Sequence, residues 1–239
     1  MDLKVVLVEP LYQGNVGSVA RAMKNFGFSD LVLVNPCKLE IEARAMSSHA
    51  WDLLENARIV STLEEAIDDC SIIIGTTGIS GSRFDLHLRV PGYSPAQMKE
   101  RLNGLSGRVA ILFGREDQGF SREELRLCDM IMTIPTSEVY PVMNLSHAVA
   151  VVLYELSEIT NGDTPLADPF DIQLLYEHLT ELLNDIDYPE HKREKTELML
   201  RRIFGRACLL PREVQTLRGI IRKMQRQYIG ESDSDDDDI

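Results

Sequence analysis

Three short stretches of this chain combine amides, charges and glycines at spacings that could do chemistry. The first is EPLYQGNVGSVARAMKNFGF (9–28), where Gly14-Asn15-Val16-Gly17 sits between an apolar run and a helical pattern. A glycine-bearing strand-to-helix turn often cradles phosphate, but a dinucleotide fingerprint needs G-x-G-x-x-G and an acid closing the second strand. Here Ser18 and Ala20 follow the turn without a third glycine, the second strand closes on Asn35-Pro36, and no GK[ST] follows. These absences disfavour a cofactor cradle. What remains is an amide, Asn15, and a guanidinium, Arg21, on one helix. They could position and polarise a hydroxyl or a phosphate, although a surface arginine is the plainer reading of Arg21. The second stretch is ILFGREDQGFSREELRLCD (111–129). Arg115-Glu116-Asp117 leave the C-terminal end of an apolar run, where open α/β sheets bind ligands. Gly119 suits a turn, and Ser121 with Glu124 suits a helix capping box. Neither accounts for three consecutive charges. The third is IPTSEVYPVMNLSHAVAVVLYE (134–155), with Asn144 as a helix N-cap. The helix after it is apolar on nearly every side, which predicts burial against both the sheet and a second subunit. Gly75-Thr76-Thr77-Gly78 ends another apolar run with small residues, as either a plain turn or a place of close ligand approach.

The elements that must position these residues follow an alternating rhythm. Candidate strands are 3–8, 30–36, 57–60, 71–77, 108–114 and 129–135. Several are unbroken Val/Ile/Leu runs, as in a parallel sheet covered on both faces. Helical patterns lie at 15–26, 40–56, 62–68, 94–102, 121–127 and 144–160. The rhythm predicts a doubly wound α/β domain over residues 1–160. NGDTPLADP (161–169) reads as a linker, 170–230 as a helical C-terminal domain with Pro211 opening its last helix, and 231–239 as a disordered acidic tail.

The chain has 239 residues, 44% of them hydrophobic and 26% charged, with a net charge of −13. That charge is unevenly spread. ESDSDDDDI (231–239) holds six acids and no base, whereas 190–230 holds eleven Lys/Arg against four acids. The basic segment is either a solvated helix face or a polyanion site, with Arg201, Arg202 and Arg206 the candidate phosphate contacts. No apolar run approaches the length of a membrane span. Four separated cysteines without a CxxC pair, and five histidines without an HxxxH pair, predict a reduced, cytoplasmic protein that holds no metal.

In order and spacing, the three stretches resemble the SpoU-type 2′-O-methyltransferases of the SPOUT superfamily. The first motif matches at Gly14-Asn15-Val16-Gly17, Arg21 and Phe26-Gly27. The second matches at Gly114, Glu116, Gly119, Ile134 and Pro135, and the third at Val142-Met143-Asn144 and Tyr154-Glu155. The resemblance covers residues 3–160, and the helical extension is similar to that of the TrmJ-like branch, which methylates cytidine or uridine 32 in the tRNA anticodon loop. It implies a SPOUT α/β-knot fold with a C-terminal trefoil knot, a homodimer, and S-adenosylmethionine as cofactor. The cofactor would lie against Thr76, Thr77, Gly78, Leu112, Gly114, Ile134, Val142, Met143 and Leu145. Arg21 would orient and activate the ribose hydroxyl, and Asn15 would position the ribose or its phosphate. Glu116 would hold the arginine or the cofactor loop, Asn144 would fix the third loop, and the glycines at 14 and 17 would let RNA come close. One residue departs from the pattern. The family's usual serine is Val142 here, so Ser146 or Ser137 would have to supply any hydroxyl needed. The same chemistry on ribosomal RNA, and a non-catalytic RNA-binding protein on the same fold, are the competing readings.

Overall fold

The computed structural model describes residues 1–78 and 90–235, with side chains through 228. The chain divides into two compact units, Met1–Thr164 and Pro165–Ile239. The first unit is built on a seven-stranded sheet. Its strands are β1 (Asp2–Val8), β2 (Asp30–Val34), β3 (Arg58–Val60), β4 (Ile72–Thr76), β5 (Gly92–Tyr93), β7 (Arg108–Phe113) and β8 (Met130–Met132). A two-residue strand, β6 (Leu105–Ser106), lies outside it. The order is β3-β2-β1-β7-β4-β8-β5, with every pairing parallel. Six of these strands coincide with the apolar runs read from the sequence. β5 escapes because two residues carry no periodicity.

The order has a direct physical meaning. β7 sits between β1 and β4, and β8 between β4 and β5, so later segments fill positions between strands laid down earlier. Because all strands run the same way, their C-terminal ends share one edge, and the loops after β1, β4, β7 and β8 gather there.

The intervening helices are α1 (Gln13–Asn25), α2 (Ile41–Ser47), α3 (Trp51–Glu55), α4 (Leu63–Ile67), α5 (Pro95–Leu102), α6 (Arg122–Leu127) and α7 (Leu145–Leu156). The 40–56 segment is not one helix as its pattern predicts. A 3-10 turn at Ser48–Ala50, entered at Ser48 with φ 52°, separates α2 from α3. The bend lets both pieces pack on α1, where Lys24 Nζ donates to the His49 carbonyl at 2.7 Å and to Asp52 at 2.6 Å. Gly17 of α1 meets α2 so closely that a Cβ there would lie 2.4 Å from the Ala43 carbonyl oxygen.

β1 carries an apparent contradiction, a lysine within a buried strand. Lys4 is 2% exposed, and its ammonium donates to the Ala66 carbonyl at 3.0 Å and to the Asp69 carboxylate. Arg108 of β7 binds the other oxygen of Asp69 at 2.5 Å and reaches Asp30 at 2.7 Å. Burial would raise the Asp69 carboxyl, but the hydrogen bond from Lys4 and the charges of Lys4 and Arg108 hold it below the usual carboxylate range.

In the second unit, α8 (Pro169–Asp185), α9 (Glu190–Ala207) and α10 (Pro211–Asp235) enclose a small core of Ala167, Leu175, Val214 and Ile221. Asp168 caps α8 by accepting from the Phe170 amide at 2.9 Å. Two of the candidate phosphate contacts prove to be engaged inside the unit. Arg202 is 5% exposed, and Arg201 stacks over the Tyr176 ring at 4.0 Å. The sequence places these cations on a charge-rich helix, but three-helix packing turns their face inward. α10 continues to Asp235, into the stretch read as disordered. Once a helix is nucleated, each further residue adds a hydrogen bond. Residues 236–239 of the acidic tail lie outside the described residues. No helix among the described residues is long and apolar enough to cross a membrane.

Removing one partner of a buried ion pair strands the other charge: without Asp69 the buried Lys4 ammonium loses its carboxylate, whereas without Lys4 the part-exposed Asp69 keeps Arg108. Asp69→Asn is therefore expected to lower unfolding free energy by about 3 kcal/mol in urea titrations at pH 7, and Lys4→Met by much less. The folded carboxyl sits below its unfolded value, so its contribution is full at neutral pH. It drains away as pH falls through the carboxylate range, and Asp69→Asn should flatten that acid limb.

Candidate functional site

Three of the residues picked out by chemistry, Asn15, Glu116 and Asn144, meet at the shared edge of the sheet. Glu116, just past the end of β7, reaches across to the loop that follows β1. Its Oε2 accepts from the Leu11 amide at 2.9 Å, and its Oε1 from the Tyr12 amide at 3.3 Å and from Asn15 Nδ2 at 2.9 Å. Asn15 Oδ1 then accepts from Asn144 Nδ2 at 3.0 Å. Asn144 Oδ1 in turn accepts from the Ser146 amide at 2.9 Å and the Ser146 hydroxyl at 2.8 Å. The direction of this chain follows from its first member. An ionised carboxylate only accepts, so Asn15 must turn its NH2 toward Glu116 and its oxygen toward Asn144. Three loops, the first of them about a hundred residues before the other two, are thus joined by two amides and one charge.

The neighbouring residue has a different task. Arg115 donates from Nε to Glu9 at 2.8 Å and from both terminal nitrogens to Glu124 at 2.9 Å each. Glu124 and then Glu9 hold the guanidinium more strongly protonated than usual, and the Arg115 hydrogen bond holds Glu9 below its ordinary value. Glu124 also closes the capping box of α6 with Ser121. The 115–119 loop folds back tightly: Arg115 and Gly119 exchange backbone hydrogen bonds at 2.9 and 3.2 Å, and a Cβ on Gly114 would lie 2.6 Å from the Gly119 backbone. Two of the three consecutive charges therefore fasten the loop, both to the segment after β1 and Arg115 also to α6.

Beside this hub lies a cleft of about 170 Å³ that opens at the sheet edge. Thr76, Thr77, Gly78, Gly114, Ile134, Val142, Met143 and Leu145 line it. Leu112 does not. Its side chain is fully buried in the core, and only its carbonyl takes part, accepting from Thr76 Oγ1 at 2.8 Å. The position lies within β7, and the strand meets the cleft only at Phe113, its last residue, with Gly114 following just beyond it. Asp117, one of the three charges at the strand end, also lines the cleft, as do Met132, Thr136 and Pro141, which no motif position marks. Val142 packs its side chain toward Gly78, where a Cβ would come within 3.3 Å of Val142 Cγ2. It forms wall, and the Ser146 hydroxyl is engaged with Asn144. A second, broader cavity of about 640 Å³ adjoins the first, sharing Glu116, Pro141, Val142, Met143 and Leu145 with it and adding Tyr12, Asn15, Tyr140 and Asn144.

Arg21 stands apart from the hub. It is exposed and has no hydrogen-bond or ion-pair partner among the described residues. Six residues on a helix carry it roughly 9 Å along the axis from Asn15 and onto another face. Glu116 does not hold it. Nor do the glycines open the turn to a ligand: Gly14 and Gly17 are buried, facing Glu42 and α2. The α7 helix, for its part, is not buried all round in the single chain. Leu145, Val149, Val152, Leu153 and Leu156 face inward, while Val151 is 39% and Tyr154 65% exposed.

The model of the SpoU rRNA Methylase family matches residues 2–154, and that of the C-terminal domain of tRNA methyltransferase TrmJ matches 170–233. The chain is 40% identical over 223 residues to tRNA (cytidine-2′-O-)-methyltransferase TrmJ of Methanocaldococcus jannaschii, covering 90% of this chain and 96% of that one. It is 36% identical to tRNA (cytidine/uridine/adenosine-2′-O-)-methyltransferase TrmJ of Pseudomonas aeruginosa, over 99% of this chain and 98% of the relative. The crystal structure of TrmJ from Z. mobilis ZM4 superposes with a TM-score of 0.76 at 29% identity, covering 94% of this chain and all of that one.

Hydrogen bonds to a charged acceptor contribute about 1.5–3 kcal/mol each. Glu116→Ala should therefore speed amide hydrogen exchange at Leu11 and Tyr12 by tenfold or more, while amides in the β1 interior keep their protection. Unchanged exchange at Leu11 and Tyr12 would show that the carboxylate does not hold the loop.

Proposed function

Because the chain belongs to the SpoU methylase family and carries the TrmJ C-terminal domain, we propose that it methylates the 2′-hydroxyl of a tRNA ribose with S-adenosylmethionine. The observation that supports this most is the hydrogen-bonded chain through Glu116, Asn15 and Asn144. It sets two polar amides in the broader cavity that adjoins a mostly apolar cleft. The cleft suits the cofactor chemically, with Ile134, Val142 and Leu145 as apolar walls for a purine. Glu116 and Asp117 near its rim favour a cation. When bound, the cofactor supplies an electrophilic methyl group on a sulfonium.

The chain's own residues do the rest. A ribose hydroxyl is a weak nucleophile, so it must be held in line and its developing negative charge stabilised. Asn15 is the residue to position the ribose, since its amide is already locked by Glu116 and Asn144 and needs no reorganisation. Arg21, uncommitted within the chain, is the cation to orient the hydroxyl and offset charge with an RNA phosphate beside it. A guanidinium remains protonated at neutral pH, so electrostatic activation suits it better than proton abstraction. Glu116 and Asn144 are positioning residues that act through Asn15.

The wider reading follows from the same membership. We take the insertion of β7 and β8 between earlier strands as the threaded arrangement of a knotted SPOUT domain. The exposed Val151 and Tyr154 face of α7 is where a second copy would pack. The target is nucleotide 32 of the anticodon loop, by resemblance to the TrmJ-like branch. On α10, Arg222, Lys223 and Arg226 are exposed and free to meet RNA phosphates, taking the place of Arg201 and Arg202.

Incubation with unmodified tRNA and methyl-labelled cofactor, followed by mapping, should find one ribose methylated, and transfer to ribosomal RNA alone would redirect the substrate. Arg21→Ala is expected to cut transfer at least about a hundredfold with cofactor affinity unchanged. In a salt titration of tRNA binding, neutralising Arg222, Lys223 and Arg226 together should reduce the slope by about 2–3. An unchanged slope would leave them as a solvated face.

A further inference from the structure

We propose that Tyr12 and Tyr140 form a stacking clamp for the base of the nucleotide being methylated, above the floor made by Asn15, Glu116 and Asn144. This rests on the RNA-methylating reading of the site. The two tyrosines approach one cavity from different loops, and the cavity of about 640 Å³ is roomy enough for a nucleoside. Tyr12 is 62% exposed and Tyr140 82% exposed.

Their exposure is not the looseness of free loops, because both backbones are pinned. The Tyr12 amide donates to Glu116 at 3.3 Å, and its carbonyl accepts the first amides of α1, from Asn15 at 3.0 Å and Val16 at 3.3 Å. Tyr12 is the N-cap residue of α1 yet makes no side-chain cap, at a position where Ser, Asp or Asn would stabilise the helix. Tyr140 donates its amide to the Ser137 carbonyl at 3.2 Å, and Thr136 Oγ1 staples the turn through the Pro141 carbonyl at 2.9 Å.

Other tyrosines of the chain show what an occupied ring looks like. Tyr93 lies under Arg101 at 4.2 Å, Tyr176 under Arg201 at 4.0 Å, and Tyr154 against Phe26 at 5.9 Å. Tyr12 and Tyr140 have no ring, cation or hydroxyl partner among the described residues. An exposed aromatic surface beside locked amides suits a planar group with polar edges. Reaction at a ribose inside a folded RNA requires its nucleotide to be splayed from its neighbours, and an aromatic face restores the stacking it loses. Such a face tolerates every base, so the clamp accepts the nucleotide without selecting its identity.

The test compares the full-length protein with Tyr12→Leu, Tyr140→Leu, the double variant and the two phenylalanine substitutions. Leucine keeps apolar bulk but not the ring, and each should lower kcat/KM for tRNA about tenfold, chiefly through KM, with cofactor affinity unchanged. Phenylalanine should recover most of what leucine loses. In parallel, anticodon stem-loop RNAs carrying 2-aminopurine at successive loop positions should show a fluorescence change on binding at one position, abolished in the double leucine variant. Wild-type fluorescence response and KM in that variant would overturn the clamp. So would a change in sedimentation with an unaltered RNA response, which would assign the rings to contact between copies. If the wild type methylates no RNA, the functional reading fails. A position-specific fluorescence change lost with leucine would then establish the two rings as a base-stacking site apart from methylation, and its absence would overturn the clamp itself.

Discussion

The site hangs on the fact that an ionised carboxylate can accept hydrogen bonds but cannot donate them. Glu116 collects two backbone amides and one side-chain amide, and by doing so fixes which way Asn15 faces and, through it, Asn144. A neutral residue at 116 would leave that sequence of donors free to reverse, even with every atom in nearly the same place. One negative charge therefore sets the order of three loops. It does so at an edge where parallel strands bring distant segments together without further cost.

A second division of labour supports the first. Arg115 and Glu116 are adjacent, yet one binds Glu9 and Glu124 and the other binds the 11–15 segment. The arginine ties its own loop to α6 and to the start of the neighbouring loop at Glu9, while the glutamate holds that loop further on, at 11–15. Elsewhere in the domain, the buried Lys4 is tied to the half-exposed Asp69 and, through it, to Arg108, and these charges serve architecture alone. Charges in this domain thus fall into those that tie strands, those that tie loops, and those, like Arg21, that the chain leaves uncommitted.

Much of this was legible in the residues. Unbroken apolar runs disclosed six of the seven main-sheet strands, because a doubly covered sheet demands continuous burial. Asn15, Glu116 and Asn144 were legible as a set because their spacing repeats a known pattern. What escaped did so for identifiable reasons. Leu112 reads like its neighbours along β7, and only the register shows that it ends in the core rather than at the cleft. Gly17 reads like ligand access, but the tight approach belongs to the Ala43 carbonyl of α2, a partner 26 residues on that no local pattern reveals. Arg202 reads like a surface cation because helix-face arithmetic over a charge-rich segment has too few apolar residues to orient it. Tyr12 and Tyr140 carry no spacing signal at all, being on separate loops.

The strand order also governs how the chain can reach its native state. β1 pairs with β7, Asp2 opposite Arg108 and Leu7 opposite Phe113, so the middle of the sheet closes only after more than a hundred residues are available. Until then β1 and β4 each present an open edge to whatever is near. Contacts of such long sequence separation slow folding and prolong the lifetime of exposed strands. During synthesis, the first half of this domain must therefore wait for its own centre. Its vulnerability to aggregation falls in that interval rather than in the finished protein.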